Sequence, residues 1–76
     1  MTHTCVDGNG DKIEIALPRI AYLNPVEESG GSFGFTVHLQ ANQGMIIVTC
    51  FKSREDAETE RNALEAASKT AANKPL

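Results

Sequence analysis

The stretch Phe33-Gly34-Phe35-Thr36-Val37-His38-Leu39-Gln40, followed after Ala41-Asn42-Gln43-Gly44 by Met45-Ile46-Ile47-Val48-Thr49-Cys50-Phe51, decides the fold. Its first half alternates with a period of two. Phe33, Phe35, Val37 and Leu39 fall on one side and Gly34, Thr36, His38 and Gln40 on the other, the pattern of a half-buried strand. The second half is rich in β-branched residues and reads as the next strand. Between them, Ala41–Gly44 is expected to form a four-residue hairpin loop, with Gly44 suited to a left-handed backbone.

Faces constrain the register, because a slip of one residue would turn every side chain to the other side. With Gln40 opposite Met45, the residues Phe35, Val37 and Leu39 share a face with Ile46, Val48 and Cys50. That face is wholly apolar and is expected to lie under a helix. The other face then carries Thr36, His38 and Gln40 beside Met45, Ile47, Thr49 and Phe51, with Tyr22 a candidate neighbour from the preceding strand. A solvated sheet face should be polar, and this one is not. Burying each such apolar side chain is worth roughly 1.5–3 kcal/mol, large against the marginal stability of a small domain. The face is therefore expected to be covered by a second copy, another protein or an apolar ligand. A fold-over of the loop at residues 24–32, or plain exposure, would also account for it.

Upstream, Thr2–Val6 reads as a short strand leading into Asp7-Gly8-Asn9-Gly10-Asp11, a dense turn signal. Lys12–Leu17 alternates strictly, with Ile13, Ile15 and Leu17 on one side. Pro18 lacks an N–H and marks a bend or an edge, after which Arg19–Leu23 resumes as strand. Glu27-Glu28-Ser29-Gly30-Gly31-Ser32 is expected to be a mobile polar loop. Downstream, Ser53 can cap a helix, and Asp56 three residues on gives a variant of the capping box. Arg54–Ser68 contains good helix formers, with Arg54/Glu58 and Glu65/Lys69 at pairing distance. Its apolar stripe is thin: Ala57, Leu64 and Ala67, extended by Ala63 and Ala71. Residues 70–76 are expected to fray.

The chain has 76 residues, one domain's length, and a domain so short buries only about 60% of its unfolded surface. At 41% hydrophobic and 22% charged it has a globular composition. The formal net charge of −3, with seven scattered basic residues, argues against nucleic-acid partners and anionic membranes. Met1–Gly10 has no apolar stretch of the signal-peptide kind, so a cytoplasmic location is expected, with Cys5 and Cys50 as free thiols.

No motif for chemistry survives inspection. Asp7, Asn9 and Asp11 mimic the opening of a calcium loop, but Lys12 stands where glycine and Pro18 where a bidentate glutamate would be required. His3, Cys5, His38 and Cys50 have a zinc-like chemistry at the wrong spacing, and His38 and Cys50 are expected on opposite faces. Neither cysteine sits where its pKa would fall. Gly30-Gly31-Ser32-Phe33-Gly34 precedes a strand, so it lacks the helix N-terminus of a phosphate loop. Phe33 and Phe35 fall on the core face, away from the exposed platform used to stack bases.

These readings converge on an α+β domain: a four-stranded antiparallel meander sheet with one C-terminal helix packed on one face. The order of short strands followed by a capped helix resembles many small prokaryotic and phage domains, a likeness of architecture that assigns no function. The leading expectation is a non-enzymatic homo-oligomeric interaction module without cofactor or metal. Its interface would comprise Met45, Ile47, Phe51, Thr36 and His38. A second reading is a metabolite or nucleotide binder at a subunit junction, contacting its ligand through Arg19, Tyr22 and His38. A third is an inhibitor or regulator of a larger protein that docks through the acidic helix residues Glu55, Asp56, Glu58, Glu60 and Glu65.

Overall fold

The computed structural model describes residues 1–72 and shows antiparallel sheets packed against one C-terminal helix. Strand β1 (Thr2–Val6) pairs with β2 (Lys12–Ala16) as a two-stranded hairpin. The turn closes on itself: the Asp7 N–H donates to the Asp11 carbonyl at 3.0 Å, and the Asp7 carboxylate accepts from the N–H groups of Asn9 and Asp11. Pro18 then sits in a single 3₁₀ turn, Leu17–Arg19, which swings the chain into a second sheet. The expected meander is thus divided after β2 into two sheets.

In the second sheet, β3 (Ile20–Leu23) and β4 (Glu27–Ser29) both pair with the long central β5 (Ser32–Leu39), and β6 (Met45–Phe51) pairs with β5 as well. The registers place β3 opposite residues 37–39 of β5 and β4 opposite residues 32–34, so the two short strands share one edge. Asn24 bridges them by donating its N–H to the Thr36 carbonyl at 2.9 Å. The segment Glu27–Ser32, expected to be a loop, is instead a tight hairpin. Gly30 and Gly31 take φ of +60° and +84°, and left-handed backbone at both central positions is the turn whose twist matches the flanking strands. Residues 24–32 therefore extend the sheet edge and do not fold over its face.

Strand β6 keeps the expected faces but not the expected register. His38, not Gln40, lies opposite Met45, a shift of two residues that preserves which side chains point where. Beyond Val48 the pairing slips: Phe35 faces Val48 while Phe33 faces Phe51, so β6 carries one extra residue. This bulge puts Cys50 at φ +70° and reverses the facing at the end of the strand. Phe51, assigned from alternation to the outer face, is turned into the core and is only 7% exposed.

Helix α1 (Arg54–Ala72) runs past Lys69, where fraying was expected; residues 73–76 of that tail lie outside the described residues. Ser53 Oγ accepts the Asp56 N–H at 3.1 Å, capping one of the free donors at the helix start. The helix buries Ala57 and Leu64 completely, while Ala63 is exposed. Small side chains along this stripe let the helix approach closely. The core joins Cys5, Ile15 and Leu17 from the hairpin side to Ile20, Val26, Phe35, Val37, Val48 and Phe51 of the sheet. Arg54 donates to the Val26 carbonyl and stacks over Phe33 at 5.3 Å instead of pairing with Glu58. The Glu65–Lys69 pair forms at 3.6 Å.

Candidate functional site: the open sheet face

Hairpin and helix pack on the face of β3–β6 that holds Phe35, Val37 and Val48, and among the described residues nothing covers the other face. There the registers set the side chains in rows across the strands. Tyr22, His38 and Met45 form one row, and Thr36 and Ile47 the next. Tyr22, Met45 and Ile47 are 58%, 59% and 60% exposed, the largest apolar side chains on this face. Thr36 and His38 are half-buried between them. Four of the five expected interface residues, Met45, Ile47, Thr36 and His38, are thus brought together; Phe51 is not, because the bulge turns it inward.

The Tyr22 and His38 rings stack with centroids 4.3 Å apart and planes within 16°. They form one wall of a shallow groove of about 360 Å³ that continues to Met45 and to Asn42 and Gly44 of the adjoining loop. Arg19, the third expected ligand contact, lies exposed in the turn before β3 and is not part of this lining. The loop is held by Gln40, whose side-chain amide donates to the Ile20 carbonyl at 3.1 Å. It also contains left-handed Ala41 and Asn42 at φ 58°. A second, smaller depression of about 210 Å³ is lined by Glu27, Gly34, Thr36, Ile47 and Thr49.

The remaining chemistry-bearing residues are dispersed. Cys5 is fully buried in the core, and burial, followed by the nearby Glu60 carboxylate, pushes its thiol up to about 11. It is a neutral packing group at physiological pH and a poor nucleophile. Cys50 is half-buried at the bulge and His38 lies on the outer face. Among the described residues, no three His, Cys, Asp or Glu side chains gather as a metal-ligand group. Two acids of the helix have internal duties: Glu60 accepts the Val6 N–H at 2.8 Å, and Glu65 sits between Arg61 at 3.3 Å and Lys69 at 3.6 Å. Glu55, Asp56 and Glu58 remain exposed. No helix of the described residues is long and apolar enough to cross a membrane.

Sequence periodicity alone missed the Tyr22–His38 stack, since it depends on which residue of β5 the short β3 meets. It also missed the role of Arg61. This side chain donates from Nε to the Asn24 carbonyl at 2.7 Å and from Nη2 to the Leu23 carbonyl at 3.3 Å, fastening α1 to the broken sheet edge. No protein-family model, curated protein or solved structure matches the chain.

Proposed function

We propose that this chain is a non-enzymatic interaction module that self-associates through the bare face of its sheet, with Met45 and Ile47 as anchors and Tyr22, Thr36 and His38 around them. The observation carrying the reading is the exposure of Met45 and Ile47 on β6 and of Tyr22 on β3, on one sheet face and separated by only the central strand β5, in a domain with a small core. Clustered apolar surface of this kind marks interaction sites, whereas scattered single residues do not. A second copy presents the same patch, and two-fold association makes one patch complementary to itself.

The test is solution mass by size-exclusion chromatography with light scattering, on the native chain and on Ile47→Glu. The native chain is expected as a dimer or higher multiple. The variant is expected as a monomer with unchanged circular dichroism, because Ile47 supports no core contact. A native monomer at high concentration, or a variant that stays oligomeric, would sink the reading.

The stacked Tyr22–His38 pair and its groove favour a second reading, a planar metabolite or nucleotide held against these rings. Thermal stabilisation of the native protein, but not of Tyr22→Ala, in a panel of nucleotides and aromatic metabolites would support it; a flat response would count against it.

A further inference from the structure

The second sheet has two edges, and they differ. On the β3/β4 edge the chain is interrupted by Pro25, and arginines occupy its carbonyls. Arg61 donates to those of Leu23 and Asn24, and Arg54 to that of Val26. Proline and charge are the usual devices that stop one edge from pairing with another chain. The β6 edge carries neither. Met45-Ile46-Ile47-Val48-Thr49-Cys50-Phe51 contains no charged residue and no proline, and among the described residues β6 pairs with β5 alone.

The ladder shows which groups this edge offers. The Leu39 N–H donates to the Gly44 carbonyl at 3.0 Å, so residues 44, 46 and 48 turn their backbone groups toward β5. Residues 45, 47 and 49 then turn theirs outward. Thr49 agrees with this alternation, since its carbonyl accepts the Gly8 N–H from the β1–β2 turn at 3.0 Å. The turn thereby closes the edge at Thr49, and the outward groups of Met45 and Ile47 have no strand partner among the described residues.

We infer that β6 pairs antiparallel with β6 of a second copy about a two-fold axis at Ile46, joining two sheets into one. This inference rests on the proposed self-association and places its contact at the β6 rim of the bare face, where Met45 and Ile47 lie, with the rest of that face left open. Two outward-facing residues separated by one inward-facing residue are self-complementary under such an axis. Met45 exchanges N–H and carbonyl bonds with the partner's Ile47, and Ile47 with the partner's Met45. On the bare face each Met45 comes beside the partner's Ile47, so the apolar patches of the two copies become continuous. Ile46, partly buried against the core, meets the partner's Ile46 on the other face. Because pairing consumes the free edge and the opposite edge is blocked by arginine and proline, the assembly closes as a dimer and does not grow into a filament.

The experiment is oxidative cross-linking of Ile46→Cys in a Cys50→Ser background, with the native chain weighed by light scattering alongside. Paired residues at such a position have Cα atoms about 4.5 Å apart, within disulfide reach. Near-complete disulfide dimer is expected when the oxidant acts on the associated protein, and little when the protein is diluted below the dissociation range before oxidation. A native dimer whose Ile46→Cys variant folds but does not cross-link would overturn the edge mode and leave self-association standing. A native monomer would overturn both. Should Ile46→Cys not fold, amide exchange on the native chain decides. Concentration-dependent protection of the Met45 and Ile47 N–H groups is expected, and fast exchange of both within a dimer overturns the pairing.

Discussion

Gly34 lies so close to Thr49 that no side chain fits on it: an added Cβ would stand 2.7 Å from the Thr49 hydroxyl oxygen and 2.8 Å from the Thr49 Cα. The approach is a consequence of the bulge, which bends β6 toward β5 where Gly34 faces the extra residue. Gly34→Ala is therefore expected to lower stability by about 1–3 kcal/mol through overpacking, read as a lower urea midpoint with an unchanged slope. A substitution without effect would show that the bulge relaxes freely.

The same bulge sets a stricter demand on Gly8. A Cβ there would fall on the backbone carbonyl of Cys50, and backbone cannot swing aside as a flexible side chain can. Gly8→Ala is expected to cost more than Gly34→Ala and to release the β1–β2 turn from β6. Loss of amide-exchange protection at Gly8, which donates to Thr49, is the measurement that checks it.

Cys50 adopts φ +70° in a region that costs a residue with a Cβ about 1–2 kcal/mol. Cys50→Gly relieves that strain at the expense of a half-buried thiol and added freedom in the unfolded chain. It is expected to be neutral or to stabilise by up to about 1 kcal/mol, whereas Cys50→Val, which tolerates the left-handed region least, destabilises. Thermal melts of the two variants should therefore move apart.

Arg61 joins α1 to the break between β3 and β4 through two carbonyls, with Glu65 holding the guanidinium from the helix side. Arg61→Ala is expected to cost about 1.5–3 kcal/mol, the scale of hydrogen bonds to a charged donor. Arg61→Lys should recover little, since one ammonium does not reproduce the planar fork. If lysine fully restores the melting temperature, charge and not geometry secures this edge.

The Cys5 thiol ionises near its ordinary value of 9.0 in the unfolded chain but only near 11 in the fold. Its contribution to stability is complete below pH 9 and is lost as pH rises from 9 to 11, because the unfolded chain releases the proton first. Unfolding midpoints should fall over that window in the native protein and fall less in Cys5→Val. At neutral pH the native Cys5 should resist alkylation. An identical alkaline decline in the two proteins would assign the effect to other groups.

Short-range patterns in the chain were enough for the elements and most of their faces. Strict alternation in Lys12–Leu17 and Phe33–Leu39, the turn residues at Asp7–Asp11, and the Ser53 cap all act within a few residues, where period and local hydrogen bonding suffice. Gly30-Gly31 is an equally local hairpin signal, masked by the polar residues around it that read as a loop. The clustering of Met45, Ile47, Thr36 and His38 was legible too, because a register shift of two residues leaves faces unchanged. Other features arise only from contacts between distant segments. Phe51 turns inward because the extra residue between Val48 and Phe51 breaks the alternation, and Gly8 and Gly34 provide the room for that bulge. Tyr22 meets His38 because β3 occupies only half of an edge that it shares with β4. That edge is closed by Arg54 and Arg61 while β6 stays open, because these helix side chains reach the carbonyls of one edge and not the other. No period in the sequence encodes this: a periodic pattern reports which way a side chain points, but not which distant backbone it reaches.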